Sequence, residues 1–389
     1  MSATIEFFPV GNGDMTLITL ESGKKILVDI NIRKEGEVDE WVDVAELLHE
    51  RLDRDGEERL FVDAFLLSHP DQDHCRGLLD HFHLGKPSDW VKKDNKILIR
   101  EMWSSPIVFR RSKDVEGGLC KDAEAWWDEA RRRVKVFRDA KTTAALKDGD
   151  RIQILGEDKK GKTDGLEAIL VKTGNDITKI CAKIDGTFAG HLIGPRLVTD
   201  KEAETLTGKN HSSVIIRFGI DGDGTKNAGL FLSGGDAEVD NWERVWARYK
   251  DKTDKLTYNI MQTPHHCSWH VLSHDSWSDK KDDAKVSKDA RSALSQTQNG
   301  AFIVASCKAI VADEPDPPSV GAEREYKAIT TSAKGEFLCT ADECDDGVLL
   351  FTIGAKGPTR DNGDGGQKLG GASGVKPRMT DKQGGGRYA

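Results

Sequence analysis

The run His69-Pro70-Asp71-Gln72-Asp73-His74 places two imidazoles and two carboxylates directly after an apolar stretch. Imidazole and carboxylate are good ligands for zinc and also serve manganese or iron. Residues two apart at a strand end point the same way, so His69 and Asp71 could share one ion. Asp73 and His74 follow as the chain turns and could face a second. Pro70 stiffens that turn, and Gly77 lets the chain leave it. Two ions about 3.5–4 Å apart would hold a bridging hydroxide and clamp both sides of a displacement. Alone, the run also reads as a polar surface turn.

Other segments carry the same residue types at the same kind of place. Ser233-Gly234-Gly235-Asp236 follows an apolar run from Leu230, so Asp236 could bridge two ions or sit in an ordinary Gly-Asp turn. Thr263-Pro264-His265-His266 follows the run 256–261; its adjacent imidazoles could be ligands, or one packed and one exposed. Asp29 stands near the end of the run 25–30. Four strand ends carrying metal-type ligands are harder to dismiss than any one.

The elements that must position these residues are legible as short apolar or β-branched runs. Residues 5–8, 16–20 and 25–30 read as three strands, with Gly11-Asn12-Gly13-Asp14 as the first turn. Residues 41–52 have helical spacing and 60–67 read as a strand. Residues 123–137 read as a helix with a basic end. Strand signals return at 150–155, 214–220, 230–232, 256–261, 302–305 and 348–353. Strands and helices so interleaved predict an α/β domain with a covered sheet. Residues 81–141 read as a charged, Trp-containing insertion, with 15 Lys or Arg against 10 Asp or Glu. Beyond Gly354 the chain is Gly-rich and nearly free of large apolar residues, which predicts a flexible, disordered tail from 356 to 389.

In order and type these motifs resemble the metallo-β-lactamase fold, in particular the soluble hydrolase domain of ComEC-like competence DNA-uptake proteins. The residues that carry the resemblance are Val10-Gly11-Asn12-Gly13-Asp14, Val28-Asp29, Ser68 through His74, Asn210-His211-Ser212-Ser213, Gly235-Asp236-Ala237-Glu238 and Pro264-His265-His266-Cys267-Ser268. The resemblance implies an αββα sandwich over residues 1–355 and two divalent cations, zinc or manganese. It implies His69, Asp71, Asp73 and His74 as ligands, Asp236 as the bridging carboxylate, and His265 as the late histidine with His266 as competitor. Asp29 would orient the site, and Asp73 could also guide a proton, so both are expected in catalysis. Gly13 and Asp14 are expected to shape the sheet edge without chemistry.

The chain departs from that pattern in three places. Asp71 stands where most relatives of the broader fold have a second histidine, which would favour a harder ion such as manganese at one site. The separate mid-chain histidine of those relatives falls near Asn210 and His211. Cys267 stands where glycine is usual; it and Cys75 are expected to be small packing residues.

The implied function is a metal-dependent hydrolase, a phosphodiesterase or nuclease, with a nucleic acid or nucleotide as substrate. Arg110, Arg111 and Trp126 are its expected contacts, by phosphate attraction and base stacking. A net charge of −9 argues against a strong duplex-DNA binder. It leaves open a small-molecule hydrolase (cyclic nucleotide, phosphoester, lactone or thioester) or a non-catalytic, metal-stabilised partner-binding module. No apolar run approaches membrane-spanning length, residues 1–10 lack a signal-peptide pattern, and seven cysteines form no even framework. The expectation is a soluble cytoplasmic protein with reduced thiols and no membrane association.

Overall fold

The computed structural model describes residues 2–37, 42–109, 118–158, 161–196, 209–312, 314–344 and 347–361. The chain opens with an antiparallel meander, β1 (Ala3–Phe7), β2 (Thr16–Thr19) and β3 (Lys25–Val28), in which Thr4 faces Thr19 and Thr16 faces Val28. Helix α1 (Val44–Arg51), capped by Asp43 accepting from the Glu46 N–H, crosses to β4 (Phe61–Leu67), parallel to β3. β5 (Ile97–Ser104), helix α2 (Lys121–Ala140) and β6 (Arg151–Leu155) extend this first sheet, again in parallel.

A second sheet follows. β7 (Phe188–Gly194), β8 (Ile215–Gly222) and β9 (Thr225–Ser233) pair antiparallel. Helix α3 (Val239–Tyr249), β10 (Tyr258–Gln262), α4 (Lys288–Leu294), β11 (Thr297–Ala305), α5 (Val320–Ser332) and β12 (Glu336–Cys339) continue it with parallel strands. The chain then returns to the first sheet, where β13 (Leu349–Gly354) pairs with β1 and β14 (Gly357–Arg360) pairs with β13.

Alternation along the strands sorts side chains into three cores. Leu66 and Phe231 face inward between the sheets with Phe7, Trp103 and Phe218. Their neighbours Phe65 and Leu232 face outward, Phe65 under α1 and α2, Leu232 under α3 to α5. Both faces of each sheet are therefore covered, which is why all seven residues of β4 are buried and the strands read as continuous apolar runs. The result is a mixed α/β protein with helices on the outer faces of two sheets. Among the described residues no helix is long and apolar enough to cross a membrane.

Two expectations need correction. Residues 81–141 are not an appendage: β5 sits between β4 and β6, and α2 buries Trp126, Trp127 and Phe137 against the first sheet. The ordered chain also runs past residue 356, because β14 takes its order from backbone pairing with β13 rather than from apolar side chains. The rest of the expected tail, 362–389, lies outside the described residues.

Candidate metal centre

Four strand ends meet at one edge of the sandwich. β3 stops at Val28 because Asp29 adopts a left-handed φ of 53°, and its buried carboxylate turns toward the end of β4. There it accepts from the Ser68 N–H (2.7 Å), the Ser68 hydroxyl (2.6 Å) and the His74 Nδ1–H (2.8 Å). That contact fixes the His74 tautomer and leaves Nε2 as a lone pair aimed into the site. The end of β9 supplies Asp236 through Gly235, whose φ is 50° and where a Cβ would lie 2.7 Å from Ser68 Oγ. After β10 the chain turns so sharply that His265, His266 and Cys267 all take positive φ, at 49°, 50° and 66°. Such backbone costs about 1–3 kcal/mol per residue and persists where the surroundings hold it.

The side chains form two groups that share Asp236. In the first, His69 Nε2 lies 3.3 Å from Asp71 Oδ2 and 3.4 Å from Asp236 Oδ2, with His265 Nε2 3.7 Å from that same oxygen. In the second, His74 Nε2 lies 2.9 Å and His266 Nε2 3.5 Å from Asp236 Oδ1. His266 Nδ1 lies 3.2 Å from Asp14 Oδ1, and Asp73 Oδ2 is 3.3 Å from His266 Nε2. His69, His74, His266, Asp14 and Asp236 are buried, while Asp71, Asp73 and His265 are half-buried at the mouth. The Lys209 ammonium sits on Asp71 Oδ1.

The field in this cluster is strongly negative. Burial alone would push His69 toward its neutral form, yet the Asp236 and Asp71 carboxylates raise it to about 9. His266 is raised to about 10 by Asp236, Asp14 and Asp73, again against burial. His74 is held well above the imidazole range by Asp236 and Asp29, against burial. Burial would lift Asp236 and Asp73, but the imidazoles around them hold both far below the carboxylate range. A site that draws protons onto buried imidazoles this strongly also draws a divalent cation, and the two compete for the same lone pairs.

The buried atoms meet the requirement of a cation directly. Asp14 Oδ1, His69 Nε2, Asp236 Oδ1, His265 Nδ1 and His266 Nδ1 make no hydrogen bond. His74 Nε2 and His266 Nε2 face each other at 3.3 Å, a contact in which the two rings must share a proton or a cation. The Asp and His donor set suits a divalent metal ion.

Of the expected site residues, the fold brings together His69, Asp71, Asp73, His74, Asp236, Asp29, His265 and His266. His266 lies in the inner group and His265 at its rim, the reverse of the expected preference. Asp14, expected to do no chemistry, belongs to the inner group. Lys209 carried no signal in the sequence. Asn210 and His211 stand apart from both groups: Asn210 Nδ2 donates to Glu238 Oε1 (2.8 Å), and the His211 carbonyl accepts from Asn241. Trp126 is buried against Phe65, with its Nε1–H on Ser104 Oγ, so it offers no face for stacking. Arg110 and Arg111 lie outside the described residues. Cys75 and Cys267 are buried free thiols.

No protein-family profile matches the sequence, and no curated protein matches it. Among solved structures the chain is similar to one described as a possible metal-dependent hydrolase from Veillonella parvula DSM 2008. That similarity covers 85% of this chain and 95% of the other at 8% identity, with a TM-score of 0.35.

Proposed function

We propose that the protein is a metal-dependent hydrolase of the metallo-β-lactamase fold, in its ComEC-like branch, acting on phosphodiester bonds with two divalent cations, zinc or manganese. The observation that carries this reading is the pair of Asp/His groups sharing Asp236, with buried polar atoms that no hydrogen bond satisfies. Charge supports a cation: five carboxylates, of Asp14, Asp29, Asp71, Asp73 and Asp236, gather around the imidazoles with one ammonium, Lys209, beside them.

His69, Asp71, Asp236 and His265 would hold one ion, and Asp14, His74, Asp236 and His266 the other. Bound there, divalent cations would polarise water and offset the negative charge that develops during ester cleavage. The chain's own residues do the rest. Asp29 holds His74 in its tautomer through the 2.8 Å contact at Nδ1. Asp73, half-buried at the mouth, would guide the proton of an attacking water. Lys209 steadies Asp71 and puts a positive charge beside the entrance.

A small phosphoester or cyclic nucleotide is the second reading, favoured by a cavity of about 460 Å³ beside the histidine turn. His270, Trp277 and Asp316 line it. Asp316 accepts from the Trp269 N–H, three residues past His266, and the Pro317 carbonyl accepts from Asn12, two residues before Asp14. Through Asp316 the cavity wall is thus tied to the turn that carries His266, and the buried Trp126 removes one support for a polymer.

The test is metal analysis of the purified chain, with single-stranded DNA, RNA, cyclic dinucleotides and bis-(p-nitrophenyl) phosphate as substrates under added zinc or manganese. The Asp73→Ala, His74→Ala double variant is the control. Cleavage by the wild type alone supports the proposal. Small esters cleaved without polymers select the second reading. Absence of both bound metal and cleavage refutes the enzyme.

A further inference from the structure

The seven cysteines are all free thiols, and four of them form two close pairs. Cys75 Sγ and Cys120 Sγ are 3.6 Å apart, as are Cys307 Sγ and Cys339 Sγ. The pairs differ in what reaches them. Cys307 and Cys339 are both buried at the ends of β11 and β12, and burial pushes the Cys307 thiol well up. Cys120 is half-buried and caps the N-terminus of α2, where its sulfur accepts from the Ala123 N–H at 3.4 Å. A thiolate is stabilised at that position. The nearby Cys75 thiol group and that N–H together bring the Cys120 thiol down to about 7 against burial.

Cys75 directly follows His74 and closes the short helix Gln72–Cys75, which carries Asp73 and His74. Its S–H donates to the Asp71 carbonyl at 3.2 Å, and its backbone bridges Ile30, next to Asp29. Movement of Cys75 is therefore transmitted to four residues of the candidate metal centre.

We propose that Cys75 and Cys120 are an oxidation site, joined by hydrogen peroxide into a disulfide that weakens metal binding at the adjacent cluster. The Cys120 thiolate attacks peroxide; an S–O bond forms, the O–O bond breaks, and the departing hydroxide leaves as water after taking a proton. Cys75 then attacks the sulfenic sulfur; the S–S bond forms, the S–O bond breaks, and a second water leaves. The two thiols lose two electrons and two protons, and peroxide is reduced to two waters. Closing the sulfurs from 3.6 Å to about 2.05 Å draws Cys75 toward α2 and removes its S–H from the Asp71 carbonyl. The disulfide stands independently of the proposed function; only its effect on metal binding rests on that reading.

The experiment treats the full chain with hydrogen peroxide, then reads intact mass, a non-reducing peptide map, denatured thiol content and zinc affinity. The expected result is loss of two hydrogens, a Cys75–Cys120 linked peptide, two fewer titratable thiols, and about tenfold weaker zinc binding that a dithiol reverses. Cys120→Ser should keep its zinc affinity under peroxide. An unchanged mass, a Cys307–Cys339 link, or Cys120 oxidised to sulfinic acid beside a free Cys75 would overturn the site. A linked pair with unchanged zinc affinity would overturn the regulatory consequence. Zinc bound by neither form would count against the proposed function and leave the oxidation site standing.

Discussion

Two regions of this molecule bury charge, and they end in opposite states. In helix α2, Glu129 and Arg133 are both buried beneath the first sheet. Glu129 Oε1 accepts from Arg133 Nε (2.7 Å) and Arg132 Nη2 (2.8 Å), and Oε2 accepts from Arg132 Nε (2.8 Å) and the Gly85 N–H (2.9 Å). Arg133 Nη1 donates to the Ile99 and Arg151 carbonyls, both at 3.0 Å. Positive and negative charge meet within the chain, and the network is complete. At the strand ends, carboxylates outnumber the one ammonium, and five imidazole and carboxylate atoms of the cluster have no hydrogen-bond partner. Burial of charge is common to both regions. The lack of a complement in one of them marks a place for an ion from outside.

The largest break in that contrast should come from Asp236, which both groups share. Asp236→Asn removes the common negative oxygen at little change in shape. Loss of several kcal/mol of cation stabilisation predicts a hydrolysis rate lower by about 10³-fold. Metal content after gel filtration, read by elemental mass spectrometry, should fall with it. Full metal stoichiometry in the variant would show that Asp236 bridges nothing.

The contrast also explains what could be read from the chain. His69 to His74 were legible because six consecutive residues keep their spacing whatever the fold does. Asp236 was legible because small residues precede it at a strand end. Gly13-Asp14 offers the same signal and was passed over, since a turn aspartate needs the partner strands around it before its direction has meaning. His265 and His266 could not be separated, because three successive left-handed residues decide which ring turns inward. Helix α2 was legible as a helix, but the contact expected of its Trp126 fails for a different reason. Its Arg and Trp content reads as a binding surface, yet Ala123, Trp126, Ala130, Val134 and Phe137 form a stripe at helical spacing that carries Glu129 and Arg133 into the core. Composition counts charges; it does not say which face they occupy.

Glu129→Ala should test the completed network. Removing one partner strands Arg133 as a buried cation, which typically destabilises by about 3–5 kcal/mol. Metal content of the folded fraction should stay at the wild-type value. Burial would raise Glu129, but Arg132 and Arg133 hold it below the usual carboxylate value. Its folded pKa being the lower one, its contribution is complete above the unfolded value of about 4.3 and is lost as pH falls through the folded value. Urea unfolding of wild type and Glu129→Gln should therefore differ by a constant amount from neutral pH down to about 5, and converge in more acidic buffer. A gap that persists unchanged there would contradict the assignment.

Asp29→Asn is a milder break in the metal cluster. Asparagine tolerates the left-handed φ at this position, so the backbone should survive. Its amide N–H₂ would face His74 Nδ1 and favour the tautomer that carries the proton on Nε2, the atom aimed at Asp236. Loss of such an orienting partner commonly weakens metal binding by about 10–100-fold. Competition against a chromogenic chelator measures it, and unchanged affinity would mean that His74 is not a ligand.

The smallest effect belongs to a pair that looks as good as any in distance. Lys135 Nζ lies 2.8 Å from Asp139 Oδ2, one helical turn apart on the same helix as Glu129, but the two side chains are 77% and 68% exposed. Water already solvates both charges, and holding two long side chains together offsets most of the attraction. Lys135→Ala should then change unfolding free energy by no more than about 0.5 kcal/mol, with metal content untouched. Set beside Glu129→Ala, this variant separates distance from burial on one helix, since the Glu129–Arg133 contact is only 0.1 Å shorter, at 2.7 Å. A loss above about 1 kcal/mol would show that contact distance rather than burial sets the worth of these charges, and it would remove the ground for reading the strand-end cluster differently from the helix.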